Sequence, residues 1–324
     1  MDDNVESPEA DGLSTRFRLD FVFETVSVDE STRKVTFVAK PNPRRYEWRR
    51  EGEKTYLYDK FDRLVYSEDV LAQLTEQLKG VPLYYEPQKI SDAEAYVQSR
   101  RPGILSFLNG ERPVPTFADP SDNFLASVQA DKLEFAILSL DLVGSTKLAT
   151  TLPTDEYSRV IQTCLFEISE AVPLFHGHVL KYTGDGIIAY FPAPSFITKN
   201  DLALDCALTL RRLVYHGLNR ALVQTGRSPI DVRIGLDSGE AAVVVIGSPS
   251  TKQHKDIIGA VISLACKIQS RAPIGGIALG EITVRNLHTR WRTMCVEMEM
   301  GETWKYADPQ TGAPYRVHKI EPSP

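Results

Sequence analysis

From Leu133 onward the chain runs strand, helix, strand, strand, helix, and this order constrains the fold more than any other feature. Residues 134–140 (EFAILSL) read as a buried strand, 155–171 as a helix, and 177–181 with 186–191 as a hairpin around a tight turn. Residues 200–218 follow as a helix. Residues 230–236 and 241–247 read as two strands joined by Asp237-Ser238-Gly239-Glu240. Residues 259–271 are helical, 276–279 form a short strand, and strand signals return at 295–300 and 315–320. This order excludes a helical bundle and an all-β fold, and points to an α+β or α/β sandwich. With 324 residues, 42% of them apolar, the chain has material for one large domain or two smaller ones.

The first part of the chain differs in character. Residues 1–15 hold five acids and no base, with too few large apolar groups to offset ordering entropy, and read as a disordered acidic tail. Phe17, Leu19, Phe21 and Phe23 then alternate with Arg18, Asp20 and Val22, and with the β-rich run 34–40 they read as an antiparallel pair. Residues 44–50 (RRYEWRR) interleave bases with aromatics. This pattern suits a charged edge strand or hairpin, and equally a phosphate or base contact reaching an active site, or a subunit interface. Residues 69–79 have the spacing of an amphipathic helix ended by Gly80, 91–100 read as a helix with a serine N-cap, and the Pro-rich stretch 112–120 reads as a linker. The expected organisation is the tail 1–15, an N-terminal α+β extension and linker 16–120, and a principal domain 133–320.

Composition narrows the function classes. A net charge of −6, from 37 Lys and Arg against 43 Asp and Glu, argues against sequence-independent nucleic-acid binding, which a cationic footprint would favour. No apolar run approaches membrane-spanning length and the chain starts with acids, so a cytoplasmic protein without membrane attachment is expected. Cys164, Cys206, Cys266 and Cys295 form no C-x-x-C pair and read as buried, reduced thiols.

Two aspartates stand out by position. Asp141 directly follows the apolar strand 134–140, and Asp185 lies at the hairpin tip in Thr183-Gly184-Asp185-Gly186. If those strands are neighbours, both carboxylates reach one sheet end. With the backbone carbonyl of Leu142 they would offer hard oxygen ligands suited to Mg²⁺ or Mn²⁺, whose shell is completed by water and phosphate. Two ions so held would activate an attacking hydroxyl and neutralise a nucleoside triphosphate. Gly144, Ser145 and Thr146, opening a helix just after Asp141, offer backbone N–H groups to the phosphates. The plainer alternative for Asp185 is a turn residue, since Asp-Gly is a common hairpin signal.

These residues carry a resemblance. Residues 134–287 resemble the catalytic domain of the class III adenylate and guanylate cyclases. The match rests on the strand and turn from Leu138 to Thr146, the T-G-D hairpin Thr183-Gly184-Asp185, the R-I-G-x-x-x-G stretch from Arg233 to Gly239, and the helix entry from Asp256 to Lys267. The resemblance implies a ferredoxin-like βαββαβ core within an α+β fold, which makes 133–320 a cyclase catalytic domain. It also implies a homodimer with composite active sites, two Mn²⁺ or Mg²⁺ ions per site, and conversion of a nucleoside triphosphate to a 3′,5′-cyclic monophosphate. Lys181 and Asp256 fall where adenylate cyclases recognise the base, which on those positions alone implies ATP. The family's ribose-orienting asparagine is replaced by Ser263 and its transition-state arginine by Lys267. Lysine keeps the charge but loses the planar fork, and serine is shorter. Lys252, His254, Lys255 or the segment 44–50 are candidates to supply what is missing. Lys305 reads either as a surface lysine or as the family's phosphate-binding lysine.

A cyclase unit with this altered helix and a β-rich extension is similar to the pyrimidine cyclases of bacterial antiviral Pycsar systems, which implies UTP or CTP as substrate. Three other readings stay open: an adenylate cyclase, a catalytically dead nucleotide-binding module, and a diguanylate cyclase or polymerase-like palm. The hairpin reads T-G-D-G rather than G-G-D/E-E-F, which speaks against the diguanylate cyclase.

Overall fold

The computed structural model describes residues 20–29, 34–52, 54–61, 63–69, 89–111, 120–128, 132–192, 199–308 and 312–320. The expected acidic tail, the helix expected at 69–79 apart from Asp69, and the linker expected at 112–120 apart from Pro120 lie outside these residues. Two compact units are present: residues 1–84 with 285–293, and residues 85–284 with 294–324.

In the first unit, β1 (Phe21–Asp29) and β2 (Lys34–Pro41) pair antiparallel, and β3 (Tyr46–Glu51), β4 (Lys54–Asp59) and β5 (Val65–Ser67) form a three-stranded meander. Tyr46, Leu57 and Tyr66 share one face and make a small core. The basic stretch 44–50 does not form one surface. Arg45 is fully buried against Asp59, with Nε donating to Oδ2 at 2.8 Å, while Arg49 lies over the Tyr58 ring at 3.5 Å. Burying a guanidinium is costly without such a partner.

The second unit contains α1 (Ala93–Leu108) and α2 (Pro120–Ser127), followed by β6 (Lys132–Val143), α3 (Ser145–Thr151) and α4 (Thr154–Ala171). Next come β7 (His178–Tyr182), β8 (Gly186–Phe191), α5 (Lys199–Arg212), a π-helical turn (Leu213–Leu218) and α6 (Asn219–Gln224). The chain ends with β9 (Asp231–Gly247), β10 (Gln253–Ile258), α7 (Ala260–Arg271), β11 (Ile277–Gly280), α8 (Glu281–Asn286), α9 (Thr289–Arg292), β12 (Cys295–Glu297) and β13 (Val317–Ile320), of which α9 belongs to the first unit. Helix α1, expected with the N-terminal extension, packs in the second unit; its N-cap is Asp92, whose Oδ1 accepts from Glu94 N at 2.8 Å, rather than Ser91. Among the described residues no helix is long and apolar enough to cross a membrane.

The sheet order is β12-β13-β11-β9-β6-β8-β7, with β10 added on β9. Its centre, β9-β6-β8-β7, is the antiparallel arrangement of a split βαββαβ unit: β6 lies between β8 and β9, and β8 between β6 and β7. This is the ferredoxin-like α+β core implied by the resemblance. Phe135 and Ile137 on one side of β6, and Ala136, Leu138 and Leu140 on the other, are all buried, so both faces of this strand are covered. Each such side chain is worth about 1.5–3 kcal/mol of burial. A one-residue slip would exchange the two faces, so this packing fixes the register that places Asp141. Helix α7 approaches β9 at Gly235, where an added Cβ would meet the Ala265 carbonyl and the Gln269 N–H of the helix backbone.

The region 230–247 differs from the sequence expectation. It forms one strand of 17 residues, and the polar tetrad expected as a turn lies inside the ladder. Its polar groups are met in the core: Tyr315 Oη donates to Asp237 Oδ1 at 2.6 Å, and Ser238 Oγ contacts Asn200 Oδ1 and, at 2.8 Å, Thr283 Oγ1. Asp237 is buried, its Oδ2 has no hydrogen-bond partner among the described residues, and desolvation pushes its pKa up to about 7 against the hydrogen bonds from Tyr315 and the Ser238 N–H. Because the folded state holds this proton more firmly than the unfolded chain, stability declines as pH rises from the ordinary carboxylate range to about 7. Asp237→Asn removes this ionisation, so its melting temperature is expected to gain on the wild type by several degrees between pH 5 and pH 8, on the usual scale of about 2–4 °C per kcal/mol. A pH series of thermal melts checks this, and parallel curves would refute it.

Candidate active site

The carboxylates of Asp141 and Asp185 meet at one end of the central sheet. Asp141 lies inside β6, opposite Gly186 of β8 and Arg233 of β9, because the strand continues past Leu140 to Val143. Asp185 sits in the two-residue turn Gly184-Asp185, closed by Thr183 N donating to Gly186 O at 2.9 Å. Gly184 takes φ +87°, a conformation glycine adopts without steric cost. At Gly186 an added Cβ would strike the Leu140 carbonyl and lie 3.1 Å from Asp141 Oδ1, so a side chain there would push the turn off the aspartate.

The electrostatics match the geometry. Burial first, and then the neighbouring Asp185 carboxylate, raise the Asp141 pKa, while Arg233 opposes the rise. Two adjoining carboxylates on a half-buried strand end need positive charge. Among the described residues no cluster of three or more His, Cys, Asp or Glu groups forms a complete metal cage. The two converging carboxylates are hard oxygen donors of the kind a divalent cation takes alongside backbone carbonyl, water and phosphate. Leu142, whose carbonyl is the candidate third ligand, is buried within the same strand.

Ser145 and Thr146 line a cleft of about 440 Å³ that opens at Gly184 and Asp185 and is walled by Tyr157, Ser158 and Gln162 of α4. Ser145 is buried and Thr146 exposed; Gly144 precedes them at the helix start. In the sequence Arg233 stands out only as part of the strand motif from Arg233 to Gly239. In the fold it faces Asp141 across the β6–β9 ladder, and its Nε is buried with no hydrogen-bond partner among the described residues. An orphaned guanidinium donor beside a carboxylate pair is suited to a phosphate oxygen. The signal that would have found it is its register with Asp141, which requires knowing which strands pair.

Three of the other predicted residues, Lys181, His254 and Asp256, form a second cluster. Lys181 Nζ of β7 donates to Asp256 Oδ2 of β10 at 2.5 Å, Asp256 Oδ1 accepts from Ile257 N at 2.8 Å, and His254 Nε2 lies 3.8 Å from Asp256 Oδ2. Asp256 is buried, whereas Lys181 is 39% exposed. Ser263 and Lys267 lie one helical turn apart on the exposed side of α7. Among the described residues neither makes a side-chain hydrogen bond or ion pair with Asp141 or Asp185 in the same chain. Lys305 is exposed, and Lys255 is committed elsewhere, its Nζ donating to the Leu125 carbonyl at 2.9 Å.

The model of the adenylate and guanylate cyclase catalytic domain matches residues 128–304, more than half of the chain. The chain belongs to this family. Among curated relatives, a cytidylate cyclase of Escherichia coli is 24% identical over 46% of this chain and 34% of its own length, and one of Staphylococcus aureus is 28% identical over 44% and 35%. Guanylate cyclase beta of Plasmodium falciparum is 28% identical over 50% of this chain and 5% of its own length. The chain thus spans about a third or less of these relatives. The adenylyl cyclase CyaB from P. aeruginosa superimposes with a TM-score of 0.52 at 18% identity, covering 61% of this chain and 98% of that one. The guanylyl cyclase Cya2 gives 0.51 at 22% identity, covering 60% and 94%. These superpositions place the fold of the cyclase domain among class III cyclases, whose domains use divalent metal ions.

Proposed function

We propose that the protein converts a nucleoside triphosphate to a 3′,5′-cyclic monophosphate and pyrophosphate, and that its preferred substrate is a pyrimidine, UTP or CTP. The observation that carries the reaction is the Asp141–Asp185 pair at the end of the buried central strand, facing Arg233, whose Nε has no hydrogen-bond partner among the described residues. Two Mn²⁺ or Mg²⁺ ions, held by Asp141, Asp185 and the Leu142 carbonyl, supply Lewis acidity to the ribose 3′-hydroxyl and charge neutralisation to the triphosphate. Gly144, Ser145 and Thr146 bind the phosphates, Lys267 offsets charge developing at the α-phosphorus, and Ser263 orients the ribose. Lys181 and Asp256 contact the base.

Support for a pyrimidine comes from the two curated relatives named cytidylate cyclase and from the Ser263 and Lys267 departures. The Lys181–Asp256 pair favours the second reading, an adenylate cyclase, because a cation and a carboxylate suit the adenine edge. By the resemblance to Pycsar cyclases, the product serves as a second messenger in bacterial antiviral defence. Purified protein with Mn²⁺ and each of the four ribonucleoside triphosphates is expected to give mainly cyclic UMP or cyclic CMP by mass spectrometry. Cyclic AMP alone would establish the second reading instead. Lys181→Glu is expected to reorder the four substrates by about tenfold or more, since a misplaced polar partner at a base contact costs on the order of 1–3 kcal/mol, and to leave the Mn²⁺ dependence unchanged.

The exposed Ser263 and Lys267, remote in contact from the aspartates of their own chain, support a homodimer in which each site draws its aspartates from one copy and its α7 residues from the other.

A further inference from the structure

The Lys181–Asp256 ion pair joins two strands that are not neighbours. Along the sheet, β9, β6 and β8 lie between β10 and β7, a separation of roughly 19 Å at the usual strand spacing if the sheet were flat. The ladder with β6 ends at Ala242 of β9, and β10 pairs with the stretch from Ala242 to Gly247 that runs beyond it. Ile257 of β10 belongs to the same buried cluster as Phe135 and Ile137 of β6. The 2.5 Å contact therefore depends on whatever holds β10 and β7 at this separation.

Helix α2 packs against both strands. On β10 the side chains alternate: His254 and Asp256 share the Lys181 side, while Lys255 turns the other way. Its Nζ donates to the carbonyls of Leu125, at 2.9 Å, and Ala126, at 3.4 Å, in the last turn of α2. Leu125 packs in one cluster with Ile257. On β7 the His178 ring stacks on Phe124 of α2 at 4.6 Å and on Tyr190 of β8 at 5.1 Å. Ser121 of α2 donates to Tyr190 Oη at 3.2 Å.

We propose that α2 is a spacer that sets the separation of Lys181 and Asp256, with Lys255 and Phe124 as positioning residues for base selection. The inference rests on the reading of the Lys181–Asp256 pair as the base contact. An ammonium on the last carbonyls of a helix is a favourable, charge-assisted anchor. Without it the ties of β10 to α2 lose this directional bond, and apolar packing such as that of Leu125 with Ile257 fixes distance less sharply. A donor and an acceptor that recognise one base edge tolerate little drift between them.

The test compares Lys255→Met with the conservative Lys255→Arg, and uses Phe124→Leu as an independent variant that keeps apolar bulk. Values of kcat and KM are measured for the four ribonucleoside triphosphates with Mn²⁺, alongside thermal melts. Lys255→Met is expected to change the kcat/KM ratio of the best to the second-best substrate by about tenfold, mainly through KM, with Lys255→Arg within about twofold of wild type, the scale on which small misplacements register. The Mn²⁺ activation curve should not move. An unchanged ratio, or an equal loss on all four substrates with a lowered melting temperature, overturns the inference while leaving the cyclase reading intact. If Lys255→Met does not fold, the same ratio measured on Phe124→Leu decides. Absence of cyclic product from the wild type with any of the four removes the base-contact reading and this inference with it.

Discussion

Asp141→Asn and Asp185→Asn are each expected to lower cyclic nucleotide formation by about a hundredfold to a thousandfold or more, the range in which loss of one charge-stabilising group registers. The expectation rests on their convergence: Asp141 is placed by the β6–β8–β9 ladder, and Asp185 by a turn that only a glycine at 186 lets approach it. A second readout separates a binding role from a structural one. An ion that binds the folded state raises the melting temperature by mass action, so Mn²⁺ should stabilise the wild type and lose most of that effect in either variant. Without metal, Asp141→Asn should melt no lower than the wild type. Burial and Asp185 raise the Asp141 pKa, so above the ordinary carboxylate range its charge opposes folding, and asparagine removes that charge. Near-wild-type activity in either variant would refute the assignment of these aspartates.

Mixing two inactive proteins is expected to restore activity. Asp185→Asn spoils both sites of its own homodimer, and Lys267→Ala weakens or abolishes both sites of its own. In a mixed dimer both lesions fall in one composite site, and the other is assembled from intact residues. With random pairing of chains and independent sites, recovery reaches about a quarter of wild type, as isologous symmetry requires. The structural basis is the placement of Ser263 and Lys267 on the exposed side of α7, apart from the aspartates of the same chain, while Lys181 and Asp256 pair within it. Co-expression with two different affinity tags, purification through both, and an activity assay of the doubly tagged species test this directly: the unfractionated mixture is expected to reach about a quarter of wild type and the purified mixed dimer, with one of its two sites intact, about half. A mixed dimer that forms and stays inactive would show that each site lies within one chain or that the two sites are coupled.

Much of the cyclase domain was legible from local pattern. The run 134–140 alternates between two buried faces, the Gly-Asp-Gly triplet can only turn, and the order of strands and helices limits the topology to a few choices. The local settings of Asp141 at a strand end and Asp185 at a hairpin tip follow from these signals, while their convergence depends on the pairing of β6 with β8.

Long-range partners decided the rest. Asp237 and Ser238 look like a turn in sequence because a strand interior punishes unpaired polar groups. Their partners are Tyr315, 78 residues away, and Asn200 and Thr283, 38 and 45 residues away. Arg45 reads as part of a basic surface until Asp59 is seen to neutralise it inside the β3–β4–β5 meander. Lys255 reads as a spare cation near the phosphates until the parity of β10 turns it away from Asp256 and onto α2, a helix the linker-like composition before it concealed. Local sequence determined most of which segments extend, coil and turn, but not the passage of β9 through Asp237–Glu240. The tertiary structure determined which charges are spent on the fold and which remain for a substrate, because that depends on partners distant in the chain.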